Sequence, residues 1–290
     1  MEREPALDKR LLRQSFEKAA AGYDAAAVLQ HEVCRRMLAR LDYVTLAPAA
    51  ILDAGCGTGN VIAALRARYP RAMLYAFDIA LGMVKHACAR VSWLDRLRGR
   101  GVAPVCGDIE RLPLRAAAIN MVWSNLALQW VNEPPHALAE LRRVLAPGGL
   151  LMFSTFGPDT LKELRAAYQG TDRYAHVNQF IDMHDLGDML VHAGFADPVM
   201  DMEYITLTYG DVRALMRDLK AIGAHTVTGG RRTGMTARAT LAAVEQNYER
   251  FRSDGRLPAT FEVIYGHAWV PQRRTTADGK PVIPIMPARD

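Results

Sequence analysis

The sequence predicts an α/β fold in which a parallel sheet is wrapped by helices. Three observations predict it. Strand-like and helix-like segments alternate over residues 51–156. The run Ile51-Leu52-Asp53-Ala54-Gly55-Cys56-Gly57-Thr58-Gly59-Asn60 reads as a strand, a tight turn and the start of a helix. Single carboxylates, Asp53, Asp78 and Asp108, stand at or just beyond the ends of the first three strands. Such alternation implies parallel strands joined by helical crossovers, and ligands of these sheets bind beyond the carboxyl ends of the strands.

Residues 6–41 carry a helical pattern with Leu7, Leu11, Leu12 and Phe16 on one face, a break at Ala21-Gly22-Tyr23-Asp24, and a second apolar helix through Val28, Val33, Met37 and Leu38. These helices precede the first strand, so they can fold over its ligand end. Phe16 and Tyr23 flank the break, either as packing aromatics or, for Tyr23, as part of a lid. In the turn that follows, glycine lets a ligand approach the backbone and tolerates positive φ. The spacing is G-x-G-x-G, with Asn60 where a dinucleotide fingerprint needs its third glycine, which argues against a nicotinamide dinucleotide.

The second strand, 72–77, ends at Asp78. A carboxylate placed about 20 residues beyond a glycine loop can accept hydrogen bonds from both ribose hydroxyls of a nucleoside. The competing role for Asp78 is N-cap of the helix around 83–89. After the third strand, 102–106, comes Gly107-Asp108-Ile109, where Asp108 could accept from an adenine amino group while Ile109 covers the ring. The fourth strand, 118–124, runs into Asn125. A helix over 135–145 then leads through Ala146-Pro147-Gly148-Gly149 into a fifth strand, 150–156.

The acidic residue followed by Gly55, Gly57 and Gly59 resembles motif I of the class I S-adenosylmethionine-dependent methyltransferases. Asp78, Gly107-Asp108 and Pro147-Gly148-Gly149 follow in that family's order and spacing, and their agreement is stronger than any one of them. The segments Ser124-Asn125-Leu126-Ala127-Leu128-Gln129-Trp130, Phe156-Gly157-Pro158-Asp159-Thr160-Leu161-Lys162-Glu163-Leu164, Leu219-Lys220-Ala221-Ile222-Gly223-Ala224-His225 and Tyr265-Gly266-His267-Ala268-Trp269 narrow the resemblance to the malonyl-[acyl-carrier protein] O-methyltransferases of biotin synthesis, over about residues 10–270. Asn120 stands where many relatives have Asp, and Thr226 where the narrower family has Asn.

The resemblance implies a sheet ending in an antiparallel hairpin, which we assign to 202–209 and 261–270. The intervening stretch is far longer than an ordinary hairpin loop of about 2–5 residues. It reads as two helices, 212–222 and 237–251, joined by a basic hinge, Thr228-Gly229-Gly230-Arg231-Arg232-Thr233-Gly234. The expected organisation is N-terminal helices capping the site (1–45), a Rossmann-like core (46–210 with 259–270), a helical lid insertion (211–258) and a proline-rich tail (271–290). A second helical segment, 159–168, would share in the roof.

For S-adenosylmethionine the implied contacts are Asp53, Gly55, Gly57, Gly59, Asp78, Ile79, Asp108, Ile109 and Asn125. The implied reaction methylates the free carboxylate of a malonyl thioester. Carboxylic acids titrate near ~4, so the nucleophile is already ionised and needs no general base; alignment and loss of water supply the rate. Tyr23, Arg217, Lys220 and His225 are the candidates for orienting the substrate, with Arg231 and Arg232 beside them. The same cations, or Arg142 and Arg143, could instead dock an acidic acyl carrier protein or simply be solvated.

The remaining composition sets limits. The chain has 290 residues, half of them hydrophobic, and a formal charge of +5. No apolar run approaches the roughly 18 residues of a membrane span, and the charged opening does not read as a signal peptide, so a cytoplasmic location is expected. Four scattered cysteines without a C-x-x-C pair read as reduced thiols and no metal site. Adenine-specific nucleic-acid methyltransferases place Asn-Pro-Pro-aromatic after the fourth strand and pyrimidine enzymes use a Pro-Cys nucleophile. Neither is present, so no nucleic-acid substrate is expected. Other readings are a methyltransferase of another small carboxylate or a quinone precursor, and a non-catalytic scaffold of this fold.

Overall fold

The computed structural model describes residues 6–92, 95, 101–172, 174, 176–223 and 238–272. Seven strands form one sheet: β1 (Ala50–Ala54), β2 (Met73–Asp78), β3 (Val102–Cys106), β4 (Ile119–Asn125), β5 (Leu145–Phe156), β6 (Ala196–Tyr209) and β7 (Leu257–Trp269). Their order is β3-β2-β1-β4-β5-β7-β6. The first five are parallel, and β7 lies antiparallel to both β5 and β6. The order in which successive strands are added reverses between the parallel neighbours β1 and β4, which opens a crevice beyond their carboxyl ends.

The described helices are α1 (Lys9–Ala19), α2 (Tyr23–Ala26), α3 (Val28–Arg40), α4 (Ile62–Arg68), α5 (Leu81–Ala89), α6 (Pro134–Val144), α7 (Lys162–Tyr168), α8 (Met183–His192), α9 (Val212–Ala221) and α10 (Arg238–Glu249). Central strands covered on both faces should be apolar throughout, and Ile51, Leu52 and Ala54 of β1 are wholly inaccessible. On one face Met37 of α3 and Leu65 of α4 pack with Trp123. On the other Leu141 of α6 packs with Phe77 and Val122.

Five elements differ from the sequence expectation, two of them only in where they begin: β7 at Leu257 rather than 261, and α7 at Lys162 rather than 159. Strand β5 begins at Leu145, because Leu145 pairs with Ile119 and a register shift absorbs the Pro-Gly-Gly turn. A Cβ on Gly149 would lie 2.8 Å from Ala146 O and 3.1 Å from Asn120 O, so the shift requires glycine there. Strand β6 begins at Ala196 rather than 202, with an irregularity between Ala196 and Val199 around Pro198. Proline is tolerated at such an edge. Helix α8 is absent from the sequence reading. Asp182 caps it by accepting from His184 N at 2.8 Å, and Leu186 and Leu190 are its buried residues.

Asn120 has a structural role at the amino edge of the sheet, where its Oδ1 accepts from Ala49 N and Ala50 N at 3.1 and 3.0 Å. Helices α9 and α10 lie in the chain between β6 and β7, and α10 is tied to α7 by Asn247 Nδ2 donating to Ala167 O at 3.0 Å. The basic hinge, His225, Thr226 and the tail from 273 lie outside the described residues.

Candidate active site

The glycine turn is fixed by Gly55 N and Cys56 N, which both donate to Phe77 O at 2.8 and 2.9 Å. All three glycines have positive φ. A Cβ on Gly55 would stand 2.2 Å from Ala127 Cβ, and one on Gly59 would stand 2.8 Å from Ala87 Cα. At Gly57 the nearest atom is Tyr23 Cε1 at 3.8 Å. Only Gly57 therefore leaves space for a ligand; the other two make room for the loop after β4 and for α5.

Gly55, Gly57, Asp78, Ile79, Asp108, Ile109 and Asn125 line one cavity of about 780 Å³, measured with its open mouth. Asp78 Oδ2 accepts from Gly57 N at 3.0 Å and Oδ1 from Ala80 N at 2.9 Å. It does not cap α5, whose N-cap is Ala80. Burial pushes the Asp78 carboxyl up to about 6, against the pull of its backbone N–H partners. Asp108 accepts from Glu110 N and from Lys9 Nζ, each at 3.1 Å, and Lys9 also pairs with Glu110 at 2.9 Å.

Asp53 and Gly59 do not line this cavity. Asp53 instead lines a smaller adjoining one with Tyr23, Gln30, His31, Gly57 and Trp123. Around it, four buried polar atoms have no hydrogen-bond partner: Asp53 Oδ2, Gln30 Oε1, Trp123 Nε1 and His31 Nε2, the last lying 3.9 Å from Asp24 Oδ1. Burial, and then the charge of Asp78, push the Asp53 carboxyl up to about 8. Tyr23 faces both cavities, and burial followed by the Asp78 charge raises its phenol above the ordinary range.

A larger cavity, about 1830 Å³ with its mouth, opens from the first. The two share Gln30, Gln129, Trp130, Phe156 and Ile222, which form a neck. Phe16 stacks edge-on against Trp130 at 5.5 Å, closing the α1 side. Beyond the neck the walls are largely apolar, interrupted by Thr160, His176, Asn178 and Tyr209 and by the charged pair of residues Asp218 and Lys220. His176 Nε2 lies 2.8 Å from Asp172 Oδ1, and its ring stacks on Tyr168 at 3.6 Å.

The predicted cations divide. Lys220 lines the larger cavity, whereas Arg217 does not and faces a groove between α1 and α9, where Lys18 and Lys220 also stand. Arg143 is committed to Glu140 and to the carbonyls of Leu112 and Leu114, and Arg142 donates to Gly194 O at 3.2 Å. His225, Arg231 and Arg232 lie outside the described residues. The sequence reading missed Lys9, Gln30 and His31. For Gln30 a signal existed: with Cys34 and Met37 it keeps the i, i+4, i+7 spacing of a buried helix face.

Residues 52–153 match the family model described as a methyltransferase domain. The fold is similar to the YcgJ protein of Bacillus subtilis, with a TM-score of 0.57 at 15% identity over 83% of this chain and 99% of that one. It is also similar to a SAM-dependent methyltransferase of Thermotoga maritima, with a TM-score of 0.50 at 15% identity over 89% and 99%. The malonyl-[acyl-carrier protein] O-methyltransferase of Gallionella capsiferriformans is 57% identical over 278 residues, 96% of each chain. That of Methylovorus sp. is 57% identical over 284 residues, 97% of this chain and 96% of its own.

The chain belongs to the malonyl-[acyl-carrier protein] O-methyltransferases. The cofactor is S-adenosylmethionine, and the residues present fit it. A nucleoside needs acceptors for ribose and an apolar slot for adenine, which Asp78 and the Ile79–Ile109 region provide. An amino-acid end needs partners of both kinds, and Asp53 and His31, whose Oδ2 and Nε2 atoms lack a hydrogen-bond partner beside Gly57, would provide them. The open space at Gly57 is the third point of fit.

Proposed function

We propose that this malonyl-[acyl-carrier protein] O-methyltransferase esterifies the free carboxylate of malonyl-[acyl-carrier protein], giving the methyl ester that primes pimeloyl synthesis for biotin. The observation that carries this reading is the pair of cavities joined through a neck whose described side chains are all uncharged. When bound, S-adenosylmethionine supplies a methyl group on a sulfonium. Passage of that methyl group to an already ionised carboxylate would need no proton acceptor, so no residue of this chain is required as a general base.

The protein's part is binding, alignment and exclusion of water. Asp78 accepts the ribose hydroxyls, Asp108 the adenine amino group, and Asp53 and His31 hold the amino-acid end. Tyr23, Phe16 and Trp130 close the neck, so the two opposite charges meet with little water between them. Helices α7, α9 and α10 form the lid over the larger cavity, which takes the thioester and its arm. The carrier itself docks on the groove between α1 and α9. Lys18, Arg217 and Lys220 line this groove with no carboxylate among its lining residues. An acidic carrier fits that charge. No described helix is long and apolar enough to cross a membrane.

The test is transfer from labelled S-adenosylmethionine to malonyl-[acyl-carrier protein], the acetyl form and malonyl-coenzyme A. Label on the malonyl carrier and none on the acetyl form is expected. Cofactor binding without any label would mean a different acceptor.

A further inference from the structure

Gln30 lines all three cavities: the nucleoside cavity, the smaller one beside Asp53, and the larger one beyond the neck. It therefore stands where the cofactor's two ends and the acceptor must meet. Its main chain is held there, since Gln30 O accepts from Asn125 Nδ2 at 3.1 Å, while Asn125 Oδ1 accepts from Ser154 Oγ at 2.9 Å. This ties α3 to the carboxyl ends of β4 and β5. The Gln30 side-chain oxygen is buried and has no partner.

The other neck amide is committed. Gln129 Nε2 donates to Leu126 O at 2.8 Å and its Oε1 accepts from Thr155 Oγ1 at 3.5 Å. The remaining neck residues are Trp130, Phe156 and Ile222. We infer that the side-chain amide of Gln30 positions the acceptor carboxylate, its N–H donating to one carboxylate oxygen and its Oε1 turned to the electropositive donor side. This rests on the function proposed above and replaces the cation expected from sequence. A guanidinium or ammonium at the neck would stabilise the carboxylate in the ground state and compete with the sulfonium, lowering nucleophilicity; a neutral amide orients the anion without neutralising it.

Gln30→Leu and Gln30→Glu test the inference, with S-adenosylhomocysteine binding by calorimetry and melting temperature read beside kinetics. In Gln30→Leu, kcat/KM for the malonyl carrier is expected to fall about 10–100-fold, the worth of one hydrogen bond to a charged group, with S-adenosylhomocysteine affinity changed less than about threefold. In Gln30→Glu the loss is larger at pH 8, where two carboxylates oppose each other, and recovers toward pH 6 as the glutamic acid protonates and donates in place of the amide. The wild type shows no such recovery. Three results overturn the inference: an unchanged kcat/KM in both variants, a Gln30→Glu profile parallel to the wild type, or a loss of S-adenosylhomocysteine affinity equal to the loss of activity. If Gln30→Leu does not fold, the Gln30→Glu profile alone decides. A wild type inactive on the malonyl carrier would instead overturn the proposed function.

Discussion

Two neighbouring glycines make opposite demands at the scale of single residues. Gly55→Ala forces a Cβ against Ala127 at 2.2 Å and holds φ at +84°, whereas Gly57→Ala meets nothing closer than 3.8 Å at φ +50°. The first is expected to lose about 3 kcal/mol or more of stability through overlap and strain. The second is expected to lose about 1–2 kcal/mol but to weaken S-adenosylhomocysteine binding by about tenfold or more, since its methyl occupies the ligand's approach. Chemical denaturation and calorimetry on the two variants separate these effects, and equal affinity losses would contradict the assignment. Asp78 and Asp53 give a pH dependence. They titrate at about 6 and about 8 in the ligand-free fold against an ordinary 3.8. The folded values exceed the unfolded one, so the folded state binds protons more tightly, and these groups remove stability as pH rises from about 4 toward 8. Donors on the cofactor favour the ionised carboxylates. Binding should therefore release protons, and affinity should rise between pH 6 and 8. Calorimetry in two buffers of different protonation enthalpy reads the sign, and proton uptake would refute it.

At the scale of elements, the segment joining β5 to α7 is clasped to β7 by two buried glutamates. Glu163 accepts from Thr260 N at 3.0 Å and from the Thr260 hydroxyl, and Glu262 accepts from Asp159 N at 2.7 Å. A Cβ at Gly157 would lie 2.4 Å from the Glu262 carboxyl carbon, so this glycine is set by the clasp. Glu163→Ala leaves the Thr260 N–H without its acceptor and is expected to cost about 2–4 kcal/mol in urea unfolding; a loss below about 1 kcal/mol would show the clasp to be dispensable. The sequence discloses neither glutamate's partner, because both lie across the sheet. It does disclose the first four strands to within a residue at either end, since each is an apolar run bounded by turn residues. The sixth strand is harder to read. Its exposure alternates as an edge strand's does, Asp197 adopts a φ of +49°, and Pro198 interrupts the run. Helix α8 carries Gly187 in its middle, which weakens its local signal. Asp78 and Asp108 are legible in the site because they stand at strand ends. Lys9, Gln30 and His31 are not, because they arrive on N-terminal helices whose docking is decided by tertiary packing.

Over the whole molecule, charge and closure converge on one side of the sheet's carboxyl edge. Ser15 Oγ donates to Gly223 O at 3.2 Å, joining α1 to the end of α9, and the intervening Ile222 reaches the neck. The surface that carries Lys18, Arg217 and Lys220 is thus continuous with the wall of the catalytic neck. None of these three pairs with a carboxylate among the described residues, unlike Arg36 and Arg40, which bridge α3 to Glu203 and Asp201 of β6. Sequence reasoning offers Arg217 and Lys220 for orienting the substrate or for docking the carrier, and only the fold sets Lys18 beside them. If the groove docks an acidic carrier, the attraction acts over distances that salt screens, with a Debye length of about 8 Å at 0.15 M ionic strength. KM for the malonyl carrier should then rise steeply with salt, while KM for a small malonyl thioester lacking the carrier stays nearly constant. The Arg217→Glu, Lys220→Glu double variant should raise KM for the carrier substrate about 10–100-fold, leave its kcat within about twofold, and abolish most of the salt dependence. Steady-state kinetics with both substrates across a salt series checks this. An equal loss on the small thioester would move the role of these cations from the docking surface into the cavity, where Lys220 already contributes to the wall.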